Sequence, residues 1–559
     1  MDRTNDPGTF LLTVTRAEDA TASEMWDEAA ALWARVVEAN PVEGRHWSRL
    51  GETRYRIDDF PGAIDAYRRA FDLRHGFDPR HGFPADIAVQ IARCHARLDQ
   101  PGEAIGWLER AWELGYRRVD TAREDDDLAS LHDHARFREL VGPPDTAALS
   151  REAGWRLDLR YLATEIRRRA YVPFRETPEA GFDAAIATLD AQVGDLSDTQ
   201  VILRIECILR LLNDAHARAR PPKDREDLQR SAPIQIYLFE EGLHIVAASP
   251  GHADLPGSRV LRFGEHMPDE VLAALDPMMV RDNENDQWVR ETVTPRLRQP
   301  RILHALGLIP DPDRLPLTIE TPAGETREIE LAAEPAERSW NFRDDKPAPD
   351  GWVFYPETLP APLPLYLRNA RSAYWFQHLA VERAVYAQVN RVQDAAAEPM
   401  AAFTERLFAF VDTHPIDKLV LDLRWNDGGN TFLSLPLLHH IVASPLNRRG
   451  SLFVIIGRRT FSAAQNMASF LDLHTEAIFV GEPTGSSPSF VGETWHWTLP
   501  YSGVEMNVSD LRWVGTWPGD YRIWIAPDLF TPPTFATYRK NRDPALEAIL
   551  ALDDHLPGW

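Results

Sequence analysis

Two short segments of the chain carry residue types that acyl-transfer chemistry needs. In the first, Ser462 lies between an apolar run, Leu452–Ile456, and the helix-forming pair Ala463-Ala464. A serine at a strand-to-helix junction lies where α/β proteins place their sites, and the helix dipole there favours a negatively charged intermediate. The same serine is also a good helix N-cap, so capping is the competing interpretation.

The second segment is a glycine pair that follows another apolar run. Gly428 and Gly429 come shortly after Lys418–Leu423. Glycines at such a turn tolerate positive φ and leave backbone N–H groups uncovered. The N–H groups of Gly428, Gly429 and Ala463 are therefore candidates for an oxyanion hole. Taken alone, the glycine pair also fits an ordinary tight turn.

The elements around these segments alternate between strand and helix from residue 335 to residue 559. The apolar patterns predict strands at Leu365–Leu367, Lys418–Leu423, Leu452–Ile456 and Ala477–Val480, and helices at Pro399–Val411, Leu433–Ala443 and Ala463–Leu471. Such alternation is typical of a layered α/β domain with largely parallel strands.

The first part of the chain, residues 1–145, has the pattern of helical repeats. Ala29 and Ala63 each lie in an Ala-x-x-x-aromatic helix pattern, and Trp47, Leu50, Gly51 and Tyr55 between them fit the first helix of a tetratricopeptide repeat. Extra residues around His75–Phe83 lengthen the next repeat, and the run Gly142–Asp145 with two prolines reads as a boundary. An ordinary helical bundle is the alternative.

Two further parts connect the repeats to the α/β domain. Residues 147–222 have helical spacing, as in Trp155, Leu159, Leu162 and Ile166. Residues 232–333 change to short alternating strands with a small helix and a final hairpin, which predicts a small mixed module. The whole chain is therefore expected to be multidomain.

Composition and charge restrict the function classes. With 61 Lys and Arg against 85 Asp and Glu, the net charge of −24 disfavours a nucleic-acid or anionic-lipid surface. The two distant cysteines, Cys94 and Cys207, form neither a disulfide framework nor a zinc motif. No phosphate loop, apolar membrane span or signal peptide is visible. We expect a cytoplasmic protein that needs no metal or cofactor.

The two chemical segments together resemble a known family. Asp422-Leu-Arg-x-Asn-x-Gly-Gly and Thr460-x-Ser-Ala, followed by the Gly481–Thr484 turn, are similar to motifs of the C-terminal processing peptidases, tricorn-core peptidases and interphotoreceptor retinoid-binding proteins. The resemblance covers about residues 151–552. It implies a ClpP/crotonase-like peptidase core at 335–559 and a degenerate PDZ-like module at 232–333.

The resemblance also bears on the catalytic base. Processing peptidases use a serine–lysine pair, but no lysine lies between Lys418 and Lys540, and the lysine position falls on Ser487. Tricorn-core peptidases use a histidine from the upstream helical segment and a late acidic residue. The matching residues are His216, as general base for Ser462, and Asp520, as the acid that orients His216.

Three functions remain open at this point. The first is a serine peptidase-like hydrolase that acts on a peptide or protein, with the helical repeats binding a protein partner. The second is a catalytically inactive protein of the same fold that binds an apolar ligand. The third is a scaffold in which only the repeats act.

Overall fold

The computed structural model describes residues 7–74, 84–116, 119–141, 146–335 and 349–552. The chain forms two compact units, Met1–Ala148 with Arg167–Arg169, and Leu149–Ile166 with Ala170–Trp559. The predicted repeat extension at His75–Phe83 and the predicted boundary at Gly142–Asp145 lie outside the described residues.

The first unit is helical throughout its described residues. Its helices are α1 Pro7–Ala22, α2 Trp26–Ala39, α3 Gly44–Arg56, α4 Phe60–Asp72, α5 Pro84–Arg97, α6 Pro101–Glu113, α7 Val119–Arg123 and α8 Ala135–Val141. Successive helices from α1 to α6 pack against one another. The small residues Ala29, Ala63 and Ala104, one in each of α2, α4 and α6, are fully buried where neighbouring helices pack. The helical prediction is confirmed, whereas the tetratricopeptide type stays a prediction.

The second unit begins with three helices. These are α9 Arg151–Arg169, α10 Glu179–Gln192 and α11 Asp198–Arg210, and the short strand β1 Arg218–Arg220 follows. Ser150 and Ser197 cap α9 and α11 through their side chains. The predicted helical segment is therefore present.

An antiparallel module follows, with five strands in sequential order and a sixth strand paired to the second of them. Its elements are β2 Ile234–Phe239, β3 Gly242–Ala248, β4 Arg259–Phe263, α12 Pro268–Leu275, α13 Gln287–Arg296, α14 Pro300–Ala305, β5 Arg314–Glu320, β6 Thr326–Ala332 and β7 Val353–Phe354. Strand β7 pairs with β3. An apolar cluster that includes Ile245, Phe263, Leu297 and Leu317 forms its core. Its PDZ-like character stays a prediction.

The remaining elements form the α/β core. They are α15 Leu365–Arg368, β8 Tyr374–Leu379, β9 Ala384–Val389, α16 Met400–Thr413, β10 Lys418–Asp422, α17 Leu435–Ala443, β11 Leu452–Ile456, α18 Ala463–His474, β12 Ile478–Gly481, β13 Ser489–Thr498, β14 Glu505–Val514, β15 Leu529–Phe530, α19 Phe535–Tyr538 and α20 Pro544–Leu550.

The main sheet of this core has the strand order β15-β12-β11-β10-β9-β8. All neighbours are parallel except β8 and β9. The α/β prediction is therefore confirmed. The predicted strand at Leu365–Leu367 is wrong, because these residues lie in the short helix α15; a three-residue apolar run has too little length to distinguish the two periodicities.

A small second sheet, with the order β1-β14-β13, joins the helical segment to the core. Arg218 pairs with Asn507 and Arg220 with Glu505 in antiparallel register. Since β1 begins two residues after His216, this pairing fixes the position of the histidine relative to the C-terminal strands. In the described ranges, no helix is long and apolar enough to cross a membrane.

Candidate active site

Ser462 occupies a tight, strained turn between β11 and α18. Its φ of 54° and ψ of −122° are those of the second residue of a type II′ turn, a conformation that residues other than glycine rarely adopt. The Ala464 N–H donates to the Phe461 carbonyl at 3.0 Å and closes the turn. The Ser462 side chain is half-buried and makes no helix-capping hydrogen bond. Helix capping is therefore not the role of the Ser462 side chain.

Neighbouring side chains fix the turn to the strand ends. Thr460 Oγ1 donates to the Leu423 carbonyl at 3.0 Å and accepts from the Gly457 N–H at 3.0 Å. The Phe461 N–H donates to the Asn426 carbonyl at 3.1 Å. The strained conformation is therefore maintained by bonds on both sides, as residues held in rare backbone regions require.

The glycine pair lies directly against this turn. Gly428 and Gly429 have φ of 118° and 132°, which favour glycine. A Cβ added to Gly428 would lie 2.7 Å from Ser462 Cβ and 3.1 Å from Ser462 Oγ. A Cβ on Gly429 would lie 2.1 Å from the Val392 carbonyl oxygen. Both positions therefore require glycine, because a side chain would clash there and because φ is positive.

The three predicted oxyanion donors differ from one another. The Gly428 N–H donates to Asn426 Oδ1 at 3.0 Å, so the expectation of a free donor at Gly428 is corrected. The N–H groups of Gly429 and Ala463 donate to no acceptor among the residues that the structure describes. Unpaired N–H groups at a helix start can stabilise a developing oxyanion.

Asp422 and Arg424, which precede the glycine pair in the same motif, have a structural role. Arg424 makes a two-pronged ion pair with Asp543, with both N–O distances 2.9 Å. Asp422 accepts from the Tyr386 hydroxyl at 2.6 Å and also contacts Arg424. Tyr386, Asp422 and Asp543 are buried and the Arg424 side chain is only 13% exposed, so these groups fix the end of β10 beneath the glycine turn rather than face a substrate.

His216 lies in a loop that the C-terminal strands hold. The backbone N–H of His216 donates to Asp214 Oδ1 at 2.9 Å, and the backbone carbonyl of His216 accepts from Asn507 Nδ2 at 2.6 Å. Asp214 also accepts from the N–H and the hydroxyl of Ser509. The backbone of the loop is thereby fixed, while the imidazole is left for other contacts.

The imidazole of His216 is packed between aromatic rings. Its centroid lies 4.4 Å from the ring of Phe461 and 5.7 Å from that of Phe490. Both ring nitrogens are buried and neither makes a hydrogen bond of good geometry with the described residues, although the backbone of Val491 lies close enough to favour the charged ring. Burial lowers the pKa of His216 from 6.5 to about 4, so the ring is neutral at pH 7. The folding brings His216 beside the nucleophile turn without a hydrogen bond to Ser462.

Asp520 does not have the predicted contact with His216. Its carboxylate accepts from Arg522, including Nη2 at 2.8 Å, and from the Thr516 hydroxyl at 2.9 Å. The hydrogen bonds from Arg522 lower the pKa of Asp520 to about 2. Because Asp520 is saturated by these neighbours, the assignment of Asp520 as the orienting acid is corrected.

A polar segment of the antiparallel module, absent from the sequence predictions, also reaches the site. Asp282, Asn283 and Asn285 hydrogen-bond to the His216 loop, to the loop after β12 or to both. Trp288 stacks on Phe461 with centroids 3.9 Å apart and an interplanar angle of 6°. Ser487, at the family's lysine position, accepts from Asn283 and donates to the Ile523 carbonyl. The only sequence signal was an unusual density of Asp and Asn.

Comparison with known proteins yields similarities of low score. No family model and no curated protein matches the chain. Among solved structures, it is similar to mature CPAF complexed with lactacystin, with 14% identity over 71% of this chain and 97% of that one and a TM-score of 0.49. The photosystem II D1 C-terminal processing protease gives 14% identity, coverage of 72% and 97%, and a TM-score of 0.35.

A third similarity covers 24% of this chain and 94% of the type III secretion chaperone SycD of Yersinia enterocolitica, in complex with a peptide of the translocator YopD. It has 16% identity and a TM-score of 0.19. All three TM-scores lie below 0.5, so these similarities do not establish a function for this chain.

Proposed function

We propose that the chain is a serine hydrolase that cleaves peptide bonds, with Ser462 as nucleophile and His216 as general base. The observation that carries the proposal is the strained turn at Ser462, which places the serine hydroxyl next to the Ala463 N–H and against the turn that contains Gly428 and Gly429. In α/β-hydrolases, a strained strand-to-helix turn exposes the nucleophilic serine in a comparable way. Strain of about 1–3 kcal/mol persists only where the surrounding structure enforces it.

The state of His216 supports its role as base. A serine hydroxyl needs a neighbouring base, and a neutral imidazole can accept its proton. Buried ring nitrogens that make no hydrogen bond of good geometry are costly, since buried polar groups are normally hydrogen-bonded. Before substrate binds, hydrogen bonds between base and nucleophile are frequently long, and they shorten in the reacting complex.

A lysine base finds no support in this domain. No lysine lies between Lys418 and Lys540 in the sequence. Lys418 is buried at the start of β10, where its Nζ donates to the Leu552 carbonyl at 2.7 Å. The histidine is therefore the favoured base.

The proposed reaction has two halves. Ser462 Oγ attacks the peptide carbonyl while His216 accepts the hydroxyl proton, and the N–H groups of Gly429 and Ala463 stabilise the oxyanion. The imidazolium then protonates the leaving amine, and an acyl ester remains on Ser462. Water, deprotonated by His216, hydrolyses this ester, and the proton returns to Ser462. Atoms and charge balance without a metal or cofactor.

The helical unit would contribute by binding a protein partner. Its helices pack in sequence from α1 to α6, and stacked helix pairs of this kind present extended surfaces for recognition. Such a surface adds binding energy away from the chemistry, so it would affect protein substrates more than small ones.

An apolar-ligand function receives less support. The aromatic cavity beside Trp425, lined by Tyr237, Tyr366 and Tyr538 among others, has a volume of about 60 Å³. That space holds a few water molecules rather than an extended apolar ligand, and the larger space of about 490 Å³ beside Glu206 and Arg296 is lined by several charged side chains. A buried ion pair between Arg458 and Glu482 also lines it, which makes a purely apolar occupant less favourable.

The proposal is tested by hydrolysis. Wild-type protein and Ser462→Ala are incubated with an unstructured protein such as casein and with a panel of short fluorogenic peptides. We expect cleavage by the wild type and none by the variant at equal folded concentration. Equal cleavage by both would assign the activity to another residue or a contaminant.

A further inference from the structure

Asp282 connects two loops of the candidate site. Its Oδ1 accepts from the Ala215 N–H at 3.1 Å, next to His216 in the chain. Its Oδ2 accepts from the Ser486 hydroxyl at 3.0 Å, in the loop after β12. The carboxyl is buried, and both oxygens are used inside the second unit. A single side chain thus sets the distance between the His216 loop and the 484–487 loop.

Asn283 repeats this connection one residue later. Its Oδ1 accepts from Asn213 Nδ2 at 2.9 Å, and its own Nδ2 donates to Ser487 Oγ at 3.0 Å. Asn213 has a φ of 54°, so the turn that leads into His216 is itself held in an unusual conformation. Two adjacent side chains therefore make parallel bridges between the same two loops.

The same segment also reaches the nucleophile turn. Asn285 Nδ2 donates to the carbonyls of Thr484 and Ile523, at 3.0 and 2.9 Å. Asn285 Oδ1 accepts from the N–H of Gln287 at the start of α13, and the next residue, Trp288, stacks on Phe461. We call residues 282–288 the bracket segment.

The bracket segment contributes little to the core of its own module. The one apolar residue of the segment, Trp288, packs with Ala215 and Phe461 rather than in the apolar cluster built from the module's strands and helices. Burial raises the pKa of the Asp282 carboxyl to about 7, with Asp214 nearby as a like charge and Arg175 as an opposite one. Keeping a carboxyl in such a place costs stability, so a structural role alone would be served better by an apolar residue.

We propose that Asp282 and Asn283 are positioning residues that hold His216 against the nucleophile turn, and this inference rests on the proposed function. Because the bracket segment leads directly into α13, a shift of that helix moves the His216 loop and the Phe461 ring together.

The test compares four variants of the full chain. Asp282→Ala removes both bonds, and Asn283→Ala removes the parallel bridge. Asp282→Asn keeps one acceptor for Ala215 and places an NH₂ donor toward Ser486. Glu284→Ala is the matched control, since Glu284 is an exposed carboxylate of the same loop. Each variant is assayed for kcat and KM on a short peptide, and for amide hydrogen exchange of peptides spanning residues 211–218.

We expect Asp282→Ala to lower kcat by about 10- to 100-fold at nearly unchanged KM, since small displacements of a base have effects of that size. Exchange at Ala215 should become faster in the same variant. Asn283→Ala should show the same pattern to a smaller extent, and Asp282→Asn should retain activity within about 3-fold, because it can remake both bonds. Glu284→Ala should match the wild type.

Two outcomes would overturn the inference, and they are distinguishable. If wild-type protein cleaves peptides and a cooperatively melting Asp282→Ala variant has wild-type kcat and exchange, the positioning role is wrong and the proposed function stands. If folded wild-type protein has no activity and Ser462 does not react with acylating probes, the proposed function itself fails and the inference fails with it.

Discussion

The imidazole of His216 packs against the ring of Phe461, with 4.4 Å between the ring centroids, and Phe461 is the residue immediately before Ser462. The histidine arrives there because β1 pairs with β14, a strand that follows Ser462 in the chain. The pairing of β1 with β14 thus places His216, which follows the helical segment, next to the nucleophile turn. The bracket segment forms hydrogen bonds to the loop that contains His216.

Replacing His216 tests its role as base. We expect His216→Ala to lower kcat by about 10²-fold or more, the usual scale for loss of a general base. Lys540→Ala serves as the control, because Lys540 is an exposed lysine of the same domain. Steady-state kinetics on a fluorogenic peptide provide the measurement. If Lys540→Ala were inactive and His216→Ala retained normal activity, the assignment of His216 as the base would be wrong.

The pH dependence of kcat/KM tests the environment of His216. Burial lowers the pKa of His216 to about 4, and the base acts only when neutral. The rate should therefore stay flat from about pH 7 down to about pH 5 and fall about tenfold per unit only below pH 4, where the ring becomes protonated. Circular dichroism at each pH confirms that the protein remains folded. Because the Asp282 carboxyl has a pKa of about 7, the profile is also measured on Asp282→Asn. An apparent pKa between 6 and 7 that persists in this folded variant would contradict a buried imidazole.

The strain at Ser462 predicts a difference in stability between two inactive variants. Glycine adopts a φ of 54° without penalty, whereas alanine keeps the strain. We expect Ser462→Gly to have a free energy of unfolding about 1 kcal/mol higher than Ser462→Ala, as estimated from the cost of such conformations. Urea denaturation of both proteins measures the difference. Equal midpoints and slopes would mean that the turn is relaxed in solution.

Because Gly428 lies close to Ser462, a side chain at position 428 should obstruct the nucleophile. In Gly428→Ala the new methyl group would lie 3.1 Å from Ser462 Oγ and 3.0 Å from the Ala463 N–H. We expect kcat/KM to fall by about 10²-fold or more, comparable to removal of an oxyanion donor. Gly251→Ala is the matched control, since a Cβ there meets no atom within 4 Å. Normal activity in a folded Gly428→Ala variant would exclude this turn from the site.

The sequence allowed some parts of this account to be predicted and not others. Ser462 and the glycine pair lie in local strand-turn-helix patterns, so their turns could be anticipated from a few neighbouring residues. His216 was found only through a family resemblance, because its position depends on a strand pairing between distant segments. The assignment of Asp520 failed since its local partner, Arg522, satisfies the carboxylate.

The bracket segment lay beyond prediction for a related reason. Asp282 and Asn283 have no periodic pattern and no partner near them in sequence. Their partners, Ala215, Ser486 and Ser487, belong to loops from both ends of the second unit. Only the assembled fold brings such groups within hydrogen-bonding distance.

The most direct test of the central claim is covalent labelling of the native protein by a fluorophosphonate probe, followed by mass spectrometry of the digested adduct. The probe phosphonylates an activated serine and leaves unactivated serines unmodified. The account predicts one adduct, on Ser462, which is absent from Ser462→Ala and forms about 10²-fold more slowly in His216→Ala. A folded wild-type protein that remains unlabelled at Ser462, or is labelled on a different serine, would contradict it.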